Sequence, residues 1–388
     1  MLESYGESVS RTPFPAPQTR FGGMKMRRDP LHTPLCDLLD VELPIICFTH
    51  CREVVVAATR AGCFAVLGEA LRSSHEIERD VQWIRDQVGD HFGVDLVLPK
   101  GAPRSDSPDQ IYAEIPASHT DFARQISEEF DVPEPSNEVV LRKWGGNNQM
   151  IAREQIEMAL DQEVPVIATG LGAPDYLFQH ARERGVKLIS LVGATRQALS
   201  QVERGADMIV AQGYDAAGHT GSVGTFSIVP EIASRLPGVP VIAAGGITDG
   251  RHLAASLCLG AAGVWTGTVW LTTEESDVDP LIKDRILAAE GAETTRSPSI
   301  SGKTMRVLRC PWTDAWDRSE APLPLGSPYQ MMLSSGYLQG ANDARRLDLM
   351  TEAVGQGVRF VEDELPVAGV AQRLADTARS ILRDRLSD

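Results

Sequence analysis

Short apolar runs alternate with longer amphipathic segments along most of the chain. The amphipathic segments, such as "PDYLFQHARERG" and "TRQALSQVERG", have the length and pattern of surface helices. The apolar runs contain few polar residues, which is typical of parallel strands that are buried on both faces. They lie at residues 43–48, 63–69, 91–99, 164–172, 186–193, 206–213, 239–247 and 262–271. Eight strands joined by helices favour an α/β fold of the TIM (β/α)8 barrel type over an open doubly wound sheet.

Two long segments interrupt this pattern and divide the chain into predicted regions. The barrel is expected over residues 31–275, with an insertion at residues 100–160 after the third strand. Barrel enzymes build their sites after the strands, so the insertion is a candidate lid over the substrate; a surface excursion is the alternative. Residues 276–388 are predicted to form a smaller, mostly helical C-terminal region packed on the barrel. Residues 1–30, rich in Pro, Gly and charge, predict a disordered tail.

The charge and hydropathy of the chain narrow the classes of partner. Among 388 residues, 53 are acidic and 37 basic, a formal net charge of −16. No basic run is present to hold a phosphate backbone, so we do not expect a nucleic acid partner. No apolar stretch approaches the roughly 18 residues that span a bilayer, and the start lacks the apolar centre of a secretory signal. The sequence therefore predicts a cytoplasmic protein without a membrane partner, and it leaves a homo-oligomer open.

The cysteines give no sign of a metal site or a disulfide framework. All six lie outside CxxC pairs, and most have apolar neighbours, as in "AASLCLGAA". A thiol in such surroundings packs as a small hydrophobic side chain. We therefore predict reduced core cysteines at positions 36, 47, 51, 63, 258 and 310. No metal-ligand spacing occurs elsewhere, so no metal is predicted.

Small residues follow the seventh and eighth predicted strands, where TIM barrels commonly hold a phosphate through backbone N–H groups. A glycine at such a strand end lets an oxyanion approach the backbone closely. The residues are Gly245, Gly246, Thr248 and Asp249 after the seventh strand, and Gly267 and Thr268 on the eighth. Thr248 or Asp249 is placed to cap the next helix. The two motifs together favour a phosphate site; glycines that serve only tight turns are the alternative.

One histidine stands in a stretch of small residues after the sixth predicted strand. In "AQGYDAAGHTG", residues 211–221, His219 lies between Gly218 and Gly221. Small neighbours keep the approach to the imidazole open, and histidine exchanges protons near neutral pH. His219 is therefore a candidate catalytic residue; a core histidine satisfied by a backbone carbonyl is the alternative.

Several of these motifs resemble the nitronate monooxygenase family, formerly called 2-nitropropane dioxygenases. The resemblance rests on "AQGYDAAGHTG", "VPVIAAGGITDGRHLAASLCLGAAGVWTGTVWLTTEES" and "LHTPLCDLLDVELPII", with an echo in "EAVGQGV". It extends over roughly residues 31–275 and is strongest over residues 205–276. The family resemblance implies a TIM barrel that binds FMN.

The resemblance also implies a role for individual positions. It places flavin contacts at Asp95, Gln212, Ala217, Gly218, Gly245, Gly246, Trp265, Thr266, Gly267 and Thr268, and the catalytic histidine at His219. Two of these positions depart from the family, which often has asparagine at position 95 and glycine at position 217. A carboxylate accepts hydrogen bonds but cannot donate one as an amide does.

A further departure lies at the end of the first strand. The family commonly has "QAPM" there, whereas this chain has "CFTHC" at residues 47–51. His50 and Cys51 are thus additional polar groups near the expected cofactor. They represent either an extra acid or redox-active thiol, or a neutral replacement in a tolerant loop.

The reaction implied by the resemblance is the oxidation of a nitronate, or of a nitroalkane after loss of its α-proton, by FMN and O2. His219 would accept that proton, or as imidazolium would stabilise the nitro oxygens. The alternatives are an NAD(P)H-dependent flavin reductase of the enoyl or quinone reductase type, and a non-catalytic flavin-binding protein.

Overall fold

The fold is taken from a computed structural model that describes residues 29–69, 72–97, 108–135, 149–170 and 172–385. Residues 1–28 of the expected tail, and the parts of the insertion at residues 100–107 and 136–148, lie outside this description.

Eight parallel strands close into a barrel, which confirms the predicted TIM fold. Each strand pairs with the next in chain order, and the last pairs back to the first with Ile46 opposite Trp265. In chain-order numbering they are β1 (Ile45–Thr49), β2 (Phe64–Gly68), β3 (Phe92–Val97), β4 (Val166–Gly170), β5 (Lys187–Val192), β6 (Met208–Gln212), β8 (Val241–Ala244) and β9 (Gly263–Thr266). The eighth apolar run is only partly strand, because residues Thr268–Trp270 form a 3-10 helix.

Helices follow most of the strands. They are α1 (Pro34–Leu39), α2 (Arg52–Arg60), α3 (Ser74–Val88), α4 (Pro108–Ala113), α5 (Ala117–Glu129), α6 (Gln149–Asp161), α7 (Asp175–Arg184), α8 (Thr195–Arg204), α9 (Thr225–Arg235), α10 (Gly250–Cys258), α11 (Pro280–Ala288), α12 (Pro311–Trp316), α13 (Tyr329–Asp343) and α14 (Val367–Arg385). Local caps fix some of their ends: Ser73 and Glu76 form a capping box at α3, and the Asp249 carboxylate accepts from the Arg251 amide at α10.

Both faces of the barrel strands are buried, as the apolar runs require. Alternate residues such as Ile46, Val66 and Val210 point into the barrel and form one core cluster. Their chain neighbours, such as Ile45 and Leu67, belong to a second cluster under the surrounding helices. The period of two along each strand therefore divides the apolar side chains between two layers.

Helix α14 completes the ring of helices around the barrel. It packs against α10 and α2, and Leu374, Ala375 and Ala378 are buried in the barrel core. A Cβ at Gly250 would lie 2.5 Å from the Leu374 carbonyl oxygen, so the glycine lets α10 and α14 approach closely. The sequence assigned this segment to a C-terminal region packed on the barrel, and in the structure it packs against α10 and α2.

The chain between β9 and α14 builds a second, mostly helical region with its own core. That core also takes in apolar residues of α4 and α5, so the described part of the insertion packs against the C-terminal region. Two strands that the apolar pattern did not predict, β10 (Thr294–Ser297) and β11 (Met305–Leu308), form an antiparallel sheet with β7 (Gly218–His219). The second region thus reaches the loop that follows β6.

All six cysteines lie in the described residues and are free thiols. Five are buried as expected, but Cys258 is exposed at the end of α10 and does not pack in a core. Within the described ranges, no helix is long and apolar enough to cross a bilayer.

Candidate active site

A large cavity opens at the carboxyl ends of the barrel strands. Its volume is about 1310 Å³, and its wall comes from the barrel strand ends, the β6–β7 loop and the second region. The residues that the family resemblance placed in the site all line this cavity: Asp95, Gln212, Ala217, Gly218, His219, Gly245, Gly246, Trp265, Thr266, Gly267 and Thr268. The structure therefore brings these residues together, while their individual roles remain predictions.

The ends of β8 and β9 form a backbone-rich part of the wall. Gly245 has a φ of +111°, and a Cβ there would lie 2.6 Å from the Thr225 hydroxyl oxygen, so only glycine fits this bend. Nearby, the Thr268 hydroxyl accepts a hydrogen bond from the Gly355 amide at 3.0 Å. Gly245 therefore serves this bend, and with Gly246 and Gly267 it presents backbone rather than side chains to the cavity.

Asp95 ends up as a buried carboxyl group at the floor of the cavity. Its side chain is 6% exposed, and Oδ1 has no hydrogen-bond partner among the described residues. Burial raises the pKa of Asp95 to about 7. Near neutral pH a large share of Asp95 is therefore protonated, and the protonated carboxyl can donate a hydrogen bond as an amide does.

An aromatic surface covers the β1 and β9 side of the cavity. The rings of Phe48 and Trp265 stack with centroids 5.5 Å apart and planes inclined by 26°. The hydroxyl of Thr266 is engaged in the frame, since it donates to the Ile46 carbonyl at 3.2 Å and accepts from Trp270 Nε1 at 3.0 Å. Thr266 thus ties β9 to β1, and Phe48 and Trp265 offer a flat apolar face.

His219 stands on a strand of two residues that the second region holds in place. Residues of β7 pair with β11, so that His219 lies opposite Met305 and Gly218 opposite Arg306. A Cβ at Gly218 would contact nothing within 4 Å, so the space beside the histidine is open. The position of His219 therefore depends on residues almost ninety positions further along the chain.

Within the described ranges, one hydrogen bond fixes the imidazole of His219. Its Nε2 lies 3.1 Å from Ser301 Oγ, and that hydroxyl donates its own proton to the Lys303 carbonyl at 3.0 Å. Ser301 can then only accept from the ring, so Nε2 carries the proton and Nδ1 is the basic nitrogen. Burial, assisted by the positive charge of Lys303, lowers the pKa of His219 to about 4. His219 is consequently neutral near pH 7.

His50 and Cys51 also line the cavity, but the thiol is not activated. Burial raises the pKa of Cys51 to about 11, and its Sγ donates to the Glu53 carboxylate and the Glu275 carbonyl. A thiol in this state does not act as a redox-active nucleophile. The His50 ring lies with Nδ1 2.8 Å from the Gly68 carbonyl oxygen, which leaves its Nε2 as an acceptor.

Sequence reasoning missed the residues that the second region contributes to the cavity. Lys303 lines the cavity from the turn before β11, where Ser301 holds His219, and Glu352 and Gly355 come from "EAVGQGV". The echo of the family motif in "EAVGQGV" was a usable signal for the latter pair. Nothing in the local pattern of residues 298–304 marks the former pair.

Sequence comparison identifies a protein family and several relatives that resemble this chain. The sequence profile of a family described as nitronate monooxygenase matches residues 41–376. A protein of Mycobacterium tuberculosis, provisionally named a monooxygenase, is 37% identical over 372 residues, which are 92% of this chain and 96% of the relative. A protein of Staphylococcus aureus, provisionally named a nitronate monooxygenase, is 27% identical over 341 residues, 84% of this chain and 92% of the relative.

Solved structures share the fold at lower identity. The nitroalkane oxidase of Streptomyces ansochromogenes has a TM-score of 0.76 at 23% identity and covers 91% of this chain and 99% of its own. FabK of Thermotoga maritima has a TM-score of 0.71 at 24% identity, and the match covers 92% of this chain and 99% of the FabK chain. At these identities the two structures support the barrel fold alone.

The profile match covers most of the chain, and it runs through β6, β7 and the strand ends that carry the cavity. By this match, and by the 37% identity to the mycobacterial relative, the chain belongs to the nitronate monooxygenase family and is an oxidoreductase.

Proposed function

We propose that this protein uses FMN and O2 to oxidise small alkyl nitronates. The observation that carries the proposal is His219, a neutral, partly buried imidazole held by Ser301 on the wall of a cavity built by the family's motif positions. A cytoplasmic location and self-association remain expectations from the sequence.

The cavity residues fit FMN in three respects. At the end of β8, Gly245 and Gly246 line the cavity without side chains, so a phosphate bound there would meet backbone groups. The stacked rings of Phe48 and Trp265 offer an apolar face to a flat ring system. Asp95 has a buried oxygen without a partner among the described residues, as a group that binds a polar ligand would. These residues and Gln212 would hold the cofactor.

The residues of this chain bind and orient the substrate. When bound, FMN supplies the electron transfer to O2 that no side chain can perform. Nδ1 of His219 is free to accept the α-proton of a nitroalkane, while Nε2–H stays on Ser301. A base of pKa about 4 removes such a proton slowly, so a nitronate, already deprotonated, is the better substrate. The imidazolium form considered from the sequence is scarcely populated at neutral pH.

The test is the absorbance spectrum of the purified protein, followed by anaerobic mixing. We expect the bands of bound flavin, release of FMN on denaturation, and bleaching by propyl nitronate. Bleaching by NADPH but not by the nitronate would instead assign a reductase. A colourless protein that takes up no FMN would contradict the proposal, and a yellow protein inert to both donors would assign binding without turnover.

The role of His219 is tested on the same assay with His219→Asn. Loss of the proton acceptor should lower turnover of a neutral nitroalkane by about 10²–10⁴-fold and that of the nitronate much less. His75→Asn, on the exposed face of α3, is the matched control and should change neither rate. Wild-type turnover of the nitroalkane by His219→Asn would exclude His219 as the base.

A further inference from the structure

Lys303 lies next to His219 on the cavity wall. It occupies the turn before β11, two residues from Met305, the register partner of His219. Ser301 connects the two, because its hydroxyl contacts His219 Nε2 and donates to the Lys303 carbonyl. The lowered pKa of His219, to which the Lys303 charge contributes, agrees with an ammonium group close to the imidazole.

The Lys303 ammonium lacks a partner within the described part of the chain. No carboxylate of the described residues lies within ion-pair distance of Nζ, and no hydrogen bond joins Nζ to another of these residues. By contrast, the buried ammonium of Lys283 donates to the Thr273 carbonyl at 2.7 Å and to Glu364 at 3.0 Å. Half-burial lowers the pKa of Lys303, with no opposing charge to restore it. A partly desolvated cation without an anion is poised to bind one.

Charges are distributed unevenly around the cavity. The carboxyl groups of its wall belong to Asp95, Asp277 and Glu352, of which Asp95 and Glu352 have a pKa raised by burial. The permanent cations of the described wall are Lys303 and the exposed Arg196. Lys303 therefore marks the side of the cavity beside His219 as the side that attracts an anion.

We propose that Lys303 is a specificity-determining residue whose ammonium binds the negative charge of the substrate, so that the cavity selects small organic anions over their neutral acids. This inference rests on the proposed function in taking a nitronate as that anion. Its oxygens would then meet Lys303 Nζ, and the α-carbon would need no base. Lys303 thereby compensates for the weak basicity of His219.

Binding of an unreactive anion tests this without turnover. The probe is sodium nitrate, a planar anion with the N–O groups of a nitronate, and the readout is the NMR shift of the His219 ring on titration. We expect saturable shifts in the wild type, loss of most of that affinity in Lys303→Met, and its recovery in Lys303→Arg. Lys187→Met, at the start of β5 away from the cavity, is the matched control and should bind nitrate as the wild type does. Unchanged binding in Lys303→Met would overturn the proposal.

The same variants are then compared for pKa and turnover. The pKa of His219 should rise in Lys303→Met, because a nearby positive charge is removed. The KM for propyl nitronate should rise at least tenfold with a smaller change in kcat, whereas the KM for neutral nitropropane should stay the same. If the wild type has no nitronate activity but Lys303 binds nitrate, the proposed function fails and the anion site stands. If nitronate turnover is normal and its KM is unchanged in Lys303→Met, the anion site fails alone.

Discussion

At the scale of single residues, Asp95 stands at a position where the family resemblance predicts an amide. The chain buries a carboxyl group there, and its Oδ1 has no partner among the described residues. Burial raises the pKa of Asp95 to about 7, so the group changes its charge in the physiological range. An ordinary surface aspartate would be ionised throughout that range.

The pKa of Asp95 predicts an effect of pH on stability. A carboxyl with a raised folded-state pKa keeps a proton that the unfolded chain releases, so its contribution to stability falls as pH rises from about 4 to 7. Asp95→Asn removes this loss. As pH rises from 5 to 8, the free energy of unfolding of the variant, measured with urea, should therefore increase by about 2–3 kcal/mol relative to that of the wild type. Asp384→Asn, exposed on α14, is the matched control. A difference between Asp95→Asn and wild type that is independent of pH would contradict the raised pKa.

Individual site residues were predictable where they follow an apolar strand. Gly245 and Thr268 could be placed because the carboxyl ends of barrel strands meet at one edge, and Gln212 was placed by the family resemblance. Ser301 and Lys303 could not, since a turn of the second region brings Ser301 to His219 and Lys303 to the cavity, and local residue patterns carry no information on those distant contacts.

At the scale of elements, the loop that carries His219 is fixed by a buried arginine. Arg306 on β11 donates from Nε and one terminal nitrogen to the Tyr214 carbonyl, both at 3.0 Å, and from the other to Thr294 Oγ1 at 2.8 Å. The Gln356 amide donates to the neighbouring Asp215 carbonyl at 2.9 Å. The two contacts anchor the β6–β7 loop to the second region.

Arg306→Lys should therefore loosen this loop. A single ammonium cannot span both acceptors, so we expect the variant to lose on the order of 2 kcal/mol in stability and to turn over nitronate more slowly. Thermal unfolding and steady-state kinetics measure the two effects. Arg359→Lys, whose exposed side chain pairs with Glu290 on the surface, should leave both near wild type. Equal losses in the two variants would show that the Arg306 fork has no special role.

Strands were predicted correctly from the sequence where they coincide with a long run of apolar residues. Each barrel strand overlaps an apolar run of at least six residues, and only β1 extends beyond its run, by the one residue Thr49, so the existence of each strand followed from the sequence. Strand β7 has two residues, both small or polar, and its pairing with β11 depends on tertiary contacts rather than on periodicity. For the same reason the eighth strand was predicted too long: the apolar "TVW" continues the pattern while the backbone turns into a 3-10 helix.

At the scale of the whole molecule, the insertion and the C-terminal region share one hydrophobic core. Phe122 of α5 is 8% exposed, and its ring meets Trp316 edge-on at 5.2 Å. Ile111 and Ile126 are also buried in this core. The described helices of the insertion are therefore held by apolar contacts, which bears on the choice between a lid and a surface excursion.

Phe122→Ala separates these two readings of the insertion. If α5 only stabilises the fold, the free energy of unfolding of the variant, measured with urea, should be about 3 kcal/mol lower than that of the wild type. Its KM for nitronate should stay at the wild-type value. Tyr112→Ala, at a side chain 40% exposed on α4, should lose far less. A several-fold rise in KM with little loss of stability would instead favour the lid.

The place of α14 has a consequence for the order in which the protein can fold during synthesis. Residues 367–385 pack against α2 near residue 55, and Arg379 pairs with Asp29 at 2.9 Å. Most of the chain must therefore be synthesised before α14 can join the ring of helices around the barrel. Until then, the apolar surfaces of α2 and α10 that α14 covers stay exposed to solvent. Contacts between residues so far apart in sequence form slowly, and the apolar surface that is exposed meanwhile is prone to aggregation. We expect the nascent chain to depend on chaperones until this late closure.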